Sequence, residues 1–148
     1  MNSEIVVQRS MEHAWRYFEL HAQQRMTVFN FYLAISGLLA AGIGMCLQQG
    51  PKFSLLISIL GVFLSCISFL FWKLDIRTSK MIKNAESVLQ RIESEAILPE
   101  AALFTSESNR CGSQGLFSIW TYGRCFRVAF LTVWFVGIGF ALLPQVFF

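Results

Sequence analysis

Three blocks of the chain contain no charged residue: residues 27–47, 53–72 and 128–148. A helix of about 20 residues rises roughly 1.5 Å per residue and so spans a hydrocarbon core of roughly 30 Å. Helices buried in a soluble bundle keep charged residues on the side that meets water, and these blocks have no such side. The pattern therefore predicts an all-α integral membrane protein with three transmembrane helices.

Amphipathic segments flank the first two spans. Met11, Trp15, Phe18 and Ala22 recur at helical spacing in residues 1–26, which predicts a cytoplasmic juxtamembrane helix. Apolar residues recur in the same way along residues 73–98, and no Pro or Gly separates either segment from its span. The second segment is therefore predicted as a helical extension of its span. The first segment either continues into its span as one long helix or lies on the membrane surface and bends near Arg25.

Breaker residues mark the connections between the helices. Gly50 and Pro51 predict a tight turn that makes the first two spans an antiparallel hairpin. Pro99 ends the second extension, and the sequence SESNRCGSQG predicts a flexible connection. Residues 99–127 are accordingly interpreted as this connection followed by a juxtamembrane segment, and residues 128–148 as the third span.

The net charge of +3 is best interpreted through the positions of the basic residues. Of the 12 Lys and Arg residues, only Lys52 lies in the first loop. The others precede the first span or lie between the second and third: Arg9, Arg16, Arg25, Lys73, Arg77, Lys80, Lys83, Arg91, Arg110, Arg124 and Arg127. The positive-inside rule then predicts a cytoplasmic N-terminus and a periplasmic C-terminus. The positive charge requires no nucleic-acid partner.

A small and polar stripe runs along the second span. It consists of Ser54, Ser58, Gly61, Ser65 and Ser68, at spacings that place them on one helix face. Small residues let helix backbones approach closely and Ser hydroxyls bond across an interface, which favours helix packing. The alternative is that the stripe lines a narrow aqueous path in an oligomer.

The first span carries a second face of small residues. We interpret it, together with an amide one turn inside the membrane, as an oligomer interface: Asn30, Ser36, Gly37, Ala40, Ala41 and Gly44. Three spans cannot bury two such faces within one subunit, so self-association is expected. Asn30 favours the same interface because an amide that faces lipid is costly; the alternative is that Asn30 lies at interface depth with access to water.

Catalytic chemistry has one candidate, Arg16 and His21, an Arg-x4-His pair of the kind found in HEPN ribonucleases. A guanidinium binds phosphate and an imidazole transfers protons near neutral pH. The alternative is an ordinary juxtamembrane Arg and an interfacial His. Neither His13 nor the nearby Glu residues complete a metal-ligand pattern, so we expect no metal and no cofactor.

Residues 15–37, WRYFELHAQQRMTVFNFYLAISG, and residues 71–86, FWKLDIRTSKMIKNAE, resemble small bacterial membrane proteins of anti-phage systems, including the membrane accessory protein of type VI-B CRISPR loci. The resemblance covers roughly the first 95 residues. It implies a ring-shaped homo-oligomer in the bacterial inner membrane that alters membrane integrity during infection. It also places Arg16 and His21 at the position of a divergent HEPN-like pair.

Three functions remain open at this point. The first is an oligomeric effector or accessory of phage defence that acts by pore-like permeation or depolarisation. The second is a non-conducting anchor that recruits a soluble defence partner through residues 74–96, and the third is a membrane-tethered HEPN-like ribonuclease. In the first two, the expected partners are other copies of the chain, membrane lipids and, for the anchor, a soluble defence protein.

Overall fold

The computed structural model describes residues 2–96 and 122–147. In this part of the chain the secondary structure is helical throughout: α1 spans Asn2–Gln48, a short 3-10 helix spans Pro51–Phe53, α2 spans Ser54–Ala96, and α3 spans Tyr122–Phe147. Three helical stretches are long and apolar enough to cross a membrane, namely Ile5–Gln48, Pro51–Ser94 and Tyr122–Leu143. The predicted all-α fold with three transmembrane helices is confirmed.

The turn between α1 and α2 forms at the predicted position. Gly50 has a φ of +84°, in the left-handed region that favours glycine. Pro51 begins the 3-10 helix, where its missing N–H leaves no donor unsatisfied. The Phe53 N–H donates to the Gly50 carbonyl at 3.3 Å, which closes the turn.

Both long helices continue beyond their apolar blocks. α1 begins at Asn2 and α2 ends at Ala96, as the amphipathic segments predicted. α3 begins at Tyr122, so the last residues of the segment interpreted as a connection are helical. The flexible connection predicted before them, including Cys111, lies outside the described residues.

The chain divides into two compact units, Met1–Arg25 with Arg77–Thr121, and Met26–Ile76 with Tyr122–Phe148. We call the first the arm unit and the second the span unit. In the arm unit, Ala85, Leu89 and Glu93 are buried at four-residue spacing along one face of α2. Ala85 and Leu89 follow the apolar periodicity expected of an amphipathic helix, and the acidic Glu93 continues the same buried face.

The span unit packs its three helices around two apolar clusters. In one cluster Tyr32 of α1 contacts Phe126 and Phe130 of α3, and in the other Ile43 of α1 contacts Ile57 and Leu64 of α2. Partly buried side chains of the remaining helix join each cluster. α3 therefore packs on both members of the hairpin.

Candidate functional site: the helix faces of the span unit

The closest approach in the span unit is between α2 and α3. A Cβ added at Gly61 would lie 2.6 Å from the Ala141 backbone nitrogen and 2.8 Å from the Gly137 carbonyl oxygen. A Cβ at Gly137 would lie 2.5 Å from the Ser65 hydroxyl oxygen. Because these neighbours include backbone atoms, only glycine allows this approach.

Serine hydroxyls join the same two helices. Ser58 donates to the Ala141 carbonyl at 3.0 Å. Ser65 lies within hydrogen-bond distance of the Gly61 carbonyl, at 3.1 Å, and of the Trp134 carbonyl, at 3.2 Å. These bonds satisfy the hydroxyls inside the subunit.

The small and polar stripe of α2 also contacts α1, at the end where Ser68 lies. Ser68 is fully buried. Its hydroxyl donates to the Leu64 carbonyl at 2.9 Å and lies 3.1 Å from the Tyr32 hydroxyl. Ser54, at the other end of the stripe, is half-buried. The stripe thus packs within the subunit for most of its length and does not face an open path there.

The small-residue face of α1 has a different environment. Asn30, Gly37, Ala40 and Ala41 are exposed, and a Cβ added at Gly37 or Gly44 would have no other atom within 4 Å. Among the described residues of the span unit, neither α2 nor α3 covers this face.

Ser36 differs from the other residues of the predicted oligomer interface. Its side chain is only 7% exposed, and its hydroxyl oxygen is buried without a hydrogen-bond partner among the described residues. A helix turns by about 100° per residue, so Ser36 lies on the inner face of α1 while the next residue, Gly37, is exposed.

The uncovered face of α1 consists of two parallel rows. One row is bulky and exposed: Phe31, Leu38 and Met45. The other, which we call the α1 stripe, is small or polar: Asn30, Ala34, Gly37, Ala41, Gly44 and Gln48. Its alternating spacing of four and three residues is a heptad-like repeat. Sequence reasoning missed Ala34 and Gln48, which this repeat could have identified.

The predicted catalytic pair lies on the N-terminal part of α1. The His21 ring stacks on Tyr17, with centroids 4.1 Å apart, and its Nδ1 lies 2.8 Å from the Tyr17 carbonyl oxygen, to which it donates. Arg16 is exposed. Five positions along a helix rotate a side chain by about 140°, so one α1 helix does not bring the two side chains to the same face.

These features define a three-span, all-α membrane protein with tight internal packing and one uncovered small-residue face. The chain belongs to the octameric membrane protein family (8xMP), whose model matches residues 8–143. It is also 54% identical over 145 residues to the CD-NTase-associated protein 19 of Escherichia coli. The aligned residues cover 97% of this chain and 95% of that protein. No solved structure matches the chain significantly.

These similarities confirm the predicted relationship to oligomeric membrane proteins of anti-phage defence. The resemblance to the accessory protein of type VI-B CRISPR loci stays a prediction.

Proposed function

We propose that this chain is the membrane effector of an anti-phage system and that it assembles as an octamer in the bacterial inner membrane. In this proposal the assembly depolarises the membrane during infection. The family name describes octamers, and the similar protein of Escherichia coli is described as associated with a CD-NTase. We extend that association to this chain and infer that a CD-NTase system triggers it.

The observation that carries the proposal is the uncovered α1 stripe. Its small residues allow close approach of another helix backbone, whereas an amide that faces lipid is unfavourable. Asn30 and Gln48, which are both exposed, lie 18 positions apart, or about 27 Å at the helical rise per residue. The stripe therefore extends over most of the hydrocarbon thickness, as a shared inner surface of an assembly requires.

The distribution of polar side chains along the α1 stripe suggests how a path through the assembly would open and close. Amide side chains occur at the two ends of the α1 stripe, and only Ala and Gly lie between them. A narrow constriction without polar side chains closes by dewetting and opens when it widens. Small shifts of α1 helices in the assembly would then control permeation.

This proposal locates the path at α1 instead of the α2 serine stripe. The Ser58 and Ser65 hydroxyls bond carbonyls of α3, and the Ser68 hydroxyl lies 3.1 Å from the Tyr32 hydroxyl of α1, so turning these serines to a central path would break those contacts. α1 requires no such rearrangement.

The test is membrane potential in cells that carry the chain and its defence system, with and without phage. Wild type should depolarise after infection, and Gly37→Leu should abolish depolarisation because leucine obstructs the α1 stripe. Gly139→Leu is the matched control, since a Cβ at Gly139 of α3 also has no other atom within 4 Å. An unchanged potential in a correctly inserted wild type, or normal depolarisation by Gly37→Leu, contradicts the proposal.

A second candidate is the non-conducting anchor, favoured by the association named for the relative. Lys80 and Lys83 are exposed on α2 in the arm unit and offer a charged contact. For an anchor, Lys80→Glu combined with Lys83→Glu should remove the CD-NTase from a pull-down, and the wild-type protein should leave the potential unchanged.

The proposed function assigns no catalytic step to Arg16 and His21. Arg16→Ala combined with His21→Ala should therefore preserve both depolarisation and protection from phage. Loss of protection with intact depolarisation would favour the ribonuclease.

A further inference from the structure

A cavity of about 220 Å³ lies between α2 and α3 in the span unit. Its walls are mainly aromatic and aliphatic: Ser68, Phe69, Trp72, Phe130, Leu131 and Trp134. The Ser68 hydroxyl already bonds the Leu64 carbonyl. The cavity is larger than apolar cavities of about 150 Å³ that bind benzene, so it has room for part of a hydrocarbon chain.

The cavity lies on the side of the bundle that would meet lipid. Phe69 and Leu131, which form two of its walls, are 43% and 41% exposed. A hydrocarbon chain could therefore enter between them from the bilayer without separating the helices.

A cation lies beside the cavity near Trp72. The Trp72 side chain lines the cavity, and its Nε1 atom is buried without a hydrogen-bond partner among the described residues. The Lys73 Nζ atom lies 5.5 Å from the Phe69 ring centroid and 5.7 Å from the Trp72 ring centroid. Arg127, three residues before the wall residue Phe130, is exposed on α3.

The depth of these groups matches a lipid headgroup. Residue 72 ends the charge-free block of the second span, and Lys73 is the first charged residue after it. Interfacial Trp and Lys side chains lie at headgroup level, where they contact phosphate and ester oxygens. An apolar cavity beside a cation at headgroup depth matches an amphiphile with an anionic head.

We infer that this cavity binds one acyl chain of an anionic phospholipid. The phosphate of the lipid pairs with the Lys73 ammonium, which lies beside the Phe69 and Trp72 rings that line the cavity. This inference goes beyond the proposed function and does not depend on permeation, because a non-conducting anchor would contain the same cavity.

The probe is an equimolar mixture of phosphatidylglycerol and phosphatidylcholine. The full chain is equilibrated with mixed vesicles and extracted in mild detergent, and the lipid retained per chain is counted by native mass spectrometry. Wild type should retain phosphatidylglycerol in preference to phosphatidylcholine. Lys73→Gln should lower that preference about fivefold, as expected for loss of one basic group near a headgroup.

A cavity-filling variant tests the location of the lipid. Leu131→Trp should prevent retention by occupying the cavity. Leu142→Trp is the matched control because Leu142 is also exposed on α3 but does not line the cavity, and it should retain lipid as wild type does. If Leu131→Trp fails to insert, Leu131→Phe fills less of the cavity and should reduce retention.

Three results would overturn the inference. They are equal retention by wild type and the inserted Leu131 variant, no preference for phosphatidylglycerol in wild type, and an unchanged preference in Lys73→Gln. The inference would also be overturned if wild type retained no lipid and the Leu131 variant dissociated the assembly. The cavity would then hold a side chain of a second copy of the chain.

Discussion

At the residue scale, Gly61 determines how closely α2 approaches α3. Gly61→Ala places a methyl group 2.6 Å from the Ala141 backbone nitrogen, and a backbone atom cannot move away without separating the helices. Overpacking of this kind typically costs about 1–3 kcal/mol. We expect a loss of that size in the free energy of unfolding, measured by denaturant titration in detergent micelles.

Gly139→Ala is the control for this substitution, because its Cβ would have no other atom within 4 Å. This variant also replaces a glycine of a transmembrane helix by alanine, but it creates no close contact. Its free energy of unfolding should be nearly that of wild type. Equal stability of the two variants would show that the approach of α2 to α3 is less close than the structure shows.

Ser65 illustrates why residue-scale packing decides which variants are informative. The space beside its hydroxyl is occupied by Gly137, whose Cβ would lie 2.5 Å from the hydroxyl oxygen. Ser65→Leu would push α3 away and damage the subunit itself. Loss of activity in that variant would not distinguish a pore from a folding defect, whereas Gly37 has open space around it.

At the scale of the helices, the sequence predicted which residues share a face but not what covers that face. The spacing of Ser54 to Ser68 placed these residues on one face of α2, and the three helices that are long and apolar enough to cross a membrane overlap the charge-free blocks. Small-residue faces have the same spacing whether they pack within a subunit or between subunits. The close approach of Gly61 to α3 and the serine hydrogen bonds to α3 separate the two cases.

The sequence identified some but not all of the residues on the exposed face of α1, because the four-residue spacing that was used does not follow one face. Four-residue steps from Ser36 drift around a helix with 3.6 residues per turn, and Ser36 itself is buried. Alternating steps of four and three, starting from Asn30, remain on one face. The sequence contains the spacing of that repeat. It does not show whether the repeat faces another helix of the subunit, because that depends on where α3 packs.

Cross-linking at Ala41 tests the assignment of α1 to the subunit interface. In a background with the four Cys residues replaced by Ser or Ala, Ala41→Cys should form disulfide-linked dimers in membranes treated with a mild oxidant. Two Cys can be joined only when their Cα atoms lie within about 7 Å. Ile59→Cys is the control, since Ile59 is exposed on α2 but lies outside the α1 stripe. If Ile59→Cys formed dimers and Ala41→Cys did not, the subunit interface would lie on α2 instead of α1.

At the scale of the whole molecule, the positions of the basic residues predict one orientation in the membrane. Lys73 follows the second apolar block, while Arg124 and Arg127 occupy the first turns of α3. The positive-inside rule predicts that all three are cytoplasmic, in which case α3 crosses outward and residue 148 is periplasmic. Lys52, in the turn between the first two spans, favours the reverse orientation, but its single charge is outweighed by the basic residues at the other ends of those spans.

Alkaline phosphatase fusions test this orientation, because the enzyme needs disulfides that form only in the oxidising periplasm. A fusion after Ala96 should be inactive and one after Phe148 active, while green fluorescent protein fused at the same positions should mark the cytoplasmic one. The reverse pattern would place the arm unit outside the cell. Residues 74–96 could then not contact a soluble partner in the cytoplasm, and the turn at Gly50 would be the part of the hairpin that lies on the cytoplasmic side.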